Sequence, residues 1–390
     1  MMKKSVVSFL LLVIILLSPV VVTANDVEEE TFESLSEEWL DDERVARAWQ
    51  DIMTTYEDYL PFSNNSNWYD VVRDGSIFSI KDWMRGILHF FIHEWIINGR
   101  LLGILIFLTL LSVFIRVLIQ SFESENVSKV SYLVIFGVLL TLAISSFHQA
   151  ASFVTDAISS MGDFMLALLP LMLSMMAAFG NIASVAFFNP ILLLFIQFSG
   201  FIVGKVVLPL FFLSAVLSII STFNPEYNVS RLANLLKQAA FFILGGFLTL
   251  FLSVMSIQGV TAAVSDGVAL RAAKFVTSNF IPVVGRMFTD AADTVFSASV
   301  LLKNAIGLTG VIAILVITLF PALKVLVLSL IFKFSAAILQ PIADGPIVDA
   351  IDTMGKHILY IFTALLAVSI MFFFALVMLV IVGNMTLMVR

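Results

Sequence analysis

The residues best equipped for chemistry lie between Ile257 and Gly307. There Asp266, Arg271, Lys274, Arg286, Asp290, Asp293 and Lys303 stand between two long apolar runs. Ionised groups at membrane depth carry ion pathways, grip partners or pair with one another. Seven of them in lipid would cost roughly 20 kcal/mol, at about 3 kcal/mol each near the bilayer centre. The stretch is therefore expected at an interface, re-entering under cover of other helices, or lining a wet cavity. After Pro282 the spacing is helical: Arg286, Asp290 and Asp293 share a face at i, i+4 and i+7, where the arginine can pair with either carboxylate. Gly259, Gly267, Pro282 and Gly285 are expected to break the stretch into short pieces.

Other chemistries find little support. His89 and His93 have the i, i+4 spacing of a zinc pair, but no HExxH order and no clear third ligand accompany them. No metal or cofactor is expected. There is no phosphate-binding glycine loop with its lysine, no GxSxG elbow and, with zero cysteines, no thiolate chemistry. The chain is not expected to be an enzyme.

The elements that hold these groups are set by composition. Of 390 residues, 60% are hydrophobic and 13% charged, and the mean hydropathy is +1.04. That is the profile of an all-α, polytopic membrane helix bundle; the apolar runs are too long for barrel strands. Residues 1–24 read as a signal peptide, with Lys3 and Lys4 before an apolar core and Val22-Thr23-Ala24 as the cleavage site; an uncleaved anchor is the alternative. Residues 25–98 form an acidic, extracytoplasmic helical region. Leu35, Trp39, Val45, Trp49, Ile52, Met53 and Tyr56 recur there at helical spacing. Ser79 to Asn98 reads as an amphipathic helix, with Trp83, Ile87, Phe90, Phe91 and Trp95 suited to the membrane interface.

Residues 99–390 are the transmembrane domain, with the charged amphipathic segment at 260–304. Apolar runs at 101–119, 130–150, 164–179, 185–223, 239–260, 305–330 and 357–389 predict seven or eight spans. The fourth run is either two short spans turning near Gly204-Lys205 or one kinked helix. Flanking lysines and arginines divide equally between the two topologies, so the positive-inside rule selects neither.

Several stretches resemble one family closely. AWQDIMTTYEDYLP, FFIHEWIINGRLLG, NVSRLANLLKQAA (Asn228–Ala240), the whole of Ile257–Gly307, KFSAAILQPIADGPIVDAI (Lys333–Ile351) and GNMTLMVR are similar to stage III sporulation protein AE. The resemblance covers essentially the whole chain. It implies a multi-pass protein of the mother-cell membrane around the forespore, required for late forespore sigma factor activation and forespore development. It further implies membership of a secretion-like channel complex linking the two cells. The implied partners are membrane lipid, the other stage III sporulation proteins (AA to AH) and, through the complex, the forespore's stage II sporulation protein Q. No nucleic acid is implied, and a homo-oligomer is compatible with it. No active site carries over; Asp266, Arg271, Lys274, Arg286, Asp290, Asp293 and Lys303 remain the pore or partner-contact candidates. A secondary transporter for a small solute is the competing reading of the same charges.

Overall fold

The computed structural model describes the backbone of residues 43–60, 80–122, 125–178, 180–223, 229–280, 284–342 and 345–388. Within these it describes every side chain except those of 80, 116–133, 223, 273–274, 276–302 and 383–388. The leader expected over 1–24 lies outside the described residues, as do Leu35 and Trp39. All regular structure among the described residues is helical: α1 (Glu43–Tyr56), a 3₁₀ turn (Glu57–Tyr59), α2 (Ile80–Ile97), α3 (Gly99–Phe122), α4 (Glu125–Ala178), α5 (Ile182–Phe201), a π turn (Ile202–Val207), α6 (Leu208–Phe223), α7 (Ser230–Phe280), α8 (Val284–Leu339) and α9 (Pro346–Met388).

Hydropathy separates apolar runs that the backbone joins. The expected second and third spans are one 54-residue helix, α4, about 80 Å long at 1.5 Å per residue. Its polar middle, from His148 to Asp163, stays helical because Ala150, Val154, Ala157, Ile158, Met161 and Met165 form one buried stripe through it. A window average dilutes that stripe with the polar residues opposite. Pro170 is held inside the helix. The fourth run is a single rod, with α5 and α6 joined through the π turn that contains Gly204 and Lys205. Pro209 follows at once and cannot donate to the Lys205 carbonyl, which is where a widened turn relieves the backbone.

Five stretches of 37 to 45 residues are long and apolar enough to cross a membrane. A sixth arises if α2 and α3, bent by 42° where they meet, count as one broken span. The seven or eight runs have thus merged into fewer, longer helices. The charged stretch is also less broken than its glycines imply. Gly259 and Gly267 lie inside continuous α7 and Gly285 lies inside α8, while the break expected at Pro282 lies outside the described residues.

The central pair is α8 and α9. Their buried stripes, Ile306 to Leu339 and Ile347 to Val382, form the middle of one core, with α4, α5, α6 and α7 around them. They cross closely at Gly355, where a Cβ would lie 2.9 Å from Lys333 Cγ and 3.2 Å from the Ser329 carbonyl oxygen. Ser329 Oγ donates to the Gly355 carbonyl at 2.7 Å across the same crossing. At the far end of α4 the chain reverses through Gly180, whose φ is +80°. Gly180 N–H donates to Ala177 O and Asn181 N–H to Met176 O, both at 3.0 Å. This is a Schellman closure, which needs a residue at ease in the left-handed region.

The helix α1 forms as its spacing predicts, with Val45, Trp49, Ile52 and Met53 buried. They are buried against the bundle itself. Tyr56 stacks on Phe320 of α8 with ring centroids 4.2 Å apart. Burial pushes the Tyr56 phenol up to about 12, against about 10 in an unfolded chain. A raised acid favours the docked state while it is neutral, so this contribution is full below about pH 10 and is lost as pH rises towards 12. We expect Trp49 fluorescence to report an alkaline undocking of α1 in that window, and Tyr56→Phe to remove it.

Candidate functional site: a capped helix end and a carboxylate-lined waist

Asp266 projects from α7 to the start of α5. Its Oδ1 accepts from Ala183 N–H at 2.8 Å, and its Oδ2 accepts from Ser184 N–H at 2.9 Å and from the Ser184 hydroxyl at 2.6 Å. The residue before α5, Asn181, makes no side-chain cap of its own. A carboxylate 82 to 83 positions away in sequence therefore satisfies the second and third amides of the helix, where the macrodipole also favours negative charge. Asp266 is buried and is held by two amides and a hydroxyl.

Lys303 sits at the same end of the bundle. Gly307, one turn along, lies beside Met172, and Met176, a turn beyond that, accepts from Asn181. The Lys303 side chain is 1% exposed, and its Nζ has no hydrogen-bond partner among the described residues; Asn181 Oδ1 is in the same condition. Arg271, a turn past Asp266, is exposed. Lys274, Arg286, Asp290 and Asp293 fall on helical backbone of α7 and α8, but their side chains lie outside the described residues, and so does the expected Arg286 pairing. The structure thus places Asp266 and Lys303 in the core and Arg271 on the surface.

A second polar region surrounds the middle of the bundle. A cavity of about 440 Å³ opens between α1, α4 and α8, lined by Asp51, Tyr56, Asp156, Ser160, Asp163 and Lys324 among others. Lys324 is not free to neutralise all three carboxylates. Its Nζ is 3.8 Å from Glu94 Oε1, lies 5.3 Å from the Phe153 ring centre and faces Phe90 at 6.0 Å. Glu94 is buried and also accepts from Asn98 Nδ2 at 3.1 Å. This pair ties α2 to α8, and the cavity keeps an excess of negative charge that draws in cations and repels anions. In the sequence Lys324 stands near the end of the apolar run 305–330 and Glu94 beside His93. Their 230-residue separation hides the pair, since nothing periodic links them.

The two histidines serve packing. His89 and His93 both face Tyr59, at 5.4 Å and 6.0 Å between ring centres. Among the described residues no group of three or more His, Asp or Glu side chains could hold a metal ion. A third polar cluster joins α6, α7 and α9: Ser214 Oγ lies 2.8 Å from Ala233 O and 3.1 Å from His357 Nε2. His357 Nδ1 is 2.8 Å from the Thr353 carbonyl, so that nitrogen carries the proton.

Residues 64–383 match the family model described as stage III sporulation protein AE. The chain belongs to that family. It is 46% identical to the stage III sporulation protein AE of Bacillus subtilis (strain 168), over 93% of this chain and 91% of the relative. No solved structure matches it. The family match takes in Asp266, Lys303, Glu94 and Lys324 but begins after α1, so the helix that closes the waist cavity lies outside it.

Proposed function

We propose that this sporulation protein is a multi-pass membrane subunit of a channel-like complex joining mother cell and forespore, acting as a structural and conducting component without catalysis. It sits in the mother-cell membrane around the forespore with its acidic N-terminal region outside the cytoplasm. It assembles with the other stage III sporulation proteins and, through them, with stage II sporulation protein Q, and the assembly is needed for the late forespore sigma factor to become active. The observation that carries this reading is the likeness to the Bacillus subtilis protein over nearly the whole of both chains. The five long apolar helices support a membrane setting.

Complementation tests it. In a Bacillus subtilis strain lacking its own stage III protein AE, this chain should restore heat-resistant spores and a late forespore reporter. It should also co-purify with the other stage III proteins. A chain that inserts into the membrane yet restores neither overturns the proposal. A transporter for a small cationic solute is the second reading, favoured by the carboxylate-lined cavity. Under it, purified protein in liposomes moves solute by itself, and Asp156→Asn with Asp163→Asn abolishes that movement. A subunit without transport of its own is inert in the same liposomes.

A further inference from the structure

The outer surface of α7 fixes where the hydrocarbon lies. Between the exposed Gln238 and Gln258 it offers only apolar or small residues, Phe242, Leu250 and Ile257 among them. That interval is about 20 residues, or about 30 Å, the thickness of a hydrocarbon core. Side-chain contacts carry its middle across the bundle. Phe251 stacks on Phe195 at 4.1 Å between ring centres, and Phe195 meets Phe372 of α9 at 4.9 Å. One turn along α9, Ser369 Oγ lies 3.0 Å from Thr318 Oγ1, which is 3.4 Å from Met161 Sδ of α4. Met161 and Phe320 therefore lie close to the bilayer centre, and with them Tyr56, stacked on Phe320, and the waist cavity.

At that level the side of the bundle formed by α1 and α4 has the opposite character. α4 exposes Asp156, Ser160 and Asp163, and α1 exposes Asp51, Thr54 and Thr55. Acyl chains cannot solvate such a surface; ionisable side chains at this depth face protein or water. Rolling α1 does not hide them, because its apolar stripe is already spent on the bundle: Val45, Trp49, Ile52 and Met53 are all buried. The cavity of about 440 Å³ opens on this same side. One bundle thus presents lipid with one face and something wet with another, at one height.

We propose that the α1–α4 face lines a water-filled lumen at mid-bilayer depth, closed by further copies of this chain. The chain carries both surfaces that a lumen wall needs, α7 for lipid and α1 with α4 for water. They lie on different sides of the α8–α9 pair, on which both α4 and α7 pack. Repetition about an axis along the bundle closes the wet side upon itself. Like charges on the carboxylates keep two such faces from seating directly on each other, so water stays between them, and the same charges enrich it in cations. The inference takes only the membrane setting from the proposed role, and it names the surface that faces the passage.

The absence of native cysteine lets the surface be read one thiol at a time. Thr55→Cys and Ser160→Cys are each placed singly in the full chain, expressed without other sporulation proteins. In opened membranes both should react with a membrane-impermeant cationic thiosulfonate. Leu250→Cys, 64% exposed near the middle of the apolar interval of α7, should stay unreacted until denaturant is added. At Thr55 and Ser160 the preference for the cationic over an anionic reagent should exceed that of a free thiol about tenfold. Asp156→Asn with Asp163→Asn should remove the excess. Photobleaching of a fluorescent fusion should count several copies per particle. Unreactive thiols at both Thr55 and Ser160, an equally reactive native Leu250 thiol, a preference no greater than a free thiol's, or a single copy per particle each overturn the proposal. Protection of both thiols by a different co-purifying protein also overturns it. None of these readouts needs spore formation: failed complementation with a wet face leaves the lumen standing, and complementation with a dry face refutes the lumen alone.

Discussion

Asp266→Ala is expected to destabilise the protein by about 3 kcal/mol, through one half-buried amide, one buried amide and one buried hydroxyl that lose their acceptor. An ordinary helix cap contributes about 1 kcal/mol, because water replaces the lost side chain. Here water has no ready access: Asp266 and Ser184 are both buried, and Asn181 supplies no cap in its place. The loss should appear as a lower unfolding temperature in detergent, read by intrinsic fluorescence. Asp266→Asn, which keeps one acceptor oxygen but sets an amide against a donor, should lose about half as much. If Asp266→Ala unfolds at the native temperature, the carboxylate is not the cap that these distances describe. Function should follow stability in this series; a variant that is stable but inactive would instead make Asp266 a pathway or contact residue.

Lys303→Met is expected to act in the opposite direction and raise stability by about 2 kcal/mol. An ammonium without an acceptor carries its full desolvation penalty, and replacing buried ionic groups with well-packed apolar ones of similar volume stabilises by about 1–4 kcal/mol. Met keeps the unbranched shape and adapts to the space around it. The same thermal assay decides the sign. A fall in stability would mean that Lys303 Nζ has an acceptor that holds it. A stable Lys303→Met protein that no longer supports sporulation would show that the buried charge is kept for function, since folding alone disfavours it.

Much of this molecule was legible in one dimension. The stripe Val45, Trp49, Ile52, Met53 announces α1, and the buried members of that stripe are the ones observed. The amphipathic helix of 79–98 forms as α2, but its faces exchange roles. Phe90 and Glu94 are buried against the bundle, whereas Met84, Leu88 and Ile96 are exposed. Periodicity identifies two faces without saying which neighbour each will meet. The distortion near Gly204-Lys205 was also readable, since proline acts on its own backbone and Pro209 follows it. Breaks assigned to Gly259 and Gly267 were not observed. Glycine permits a bend without enforcing one, and at Gly259 close contacts from Met378, Phe188 and Val382 explain the residue instead.

The sequence by itself determined the all-helical membrane class, the amphipathic helix α1 and the family. Each is carried by local composition, by spacing, or by identities read residue against residue. Only the tertiary structure decided that Asp266 caps a helix 82 positions away, that Glu94 meets Lys324, and that Lys303 is enclosed without a partner among the described residues. It also decided that separate apolar runs join into helices about twice the thickness of a bilayer. The physical reason is that a charge in the sequence states only what must be satisfied. Which amide, carboxylate or cavity satisfies it depends on helices brought together from distant parts of the chain.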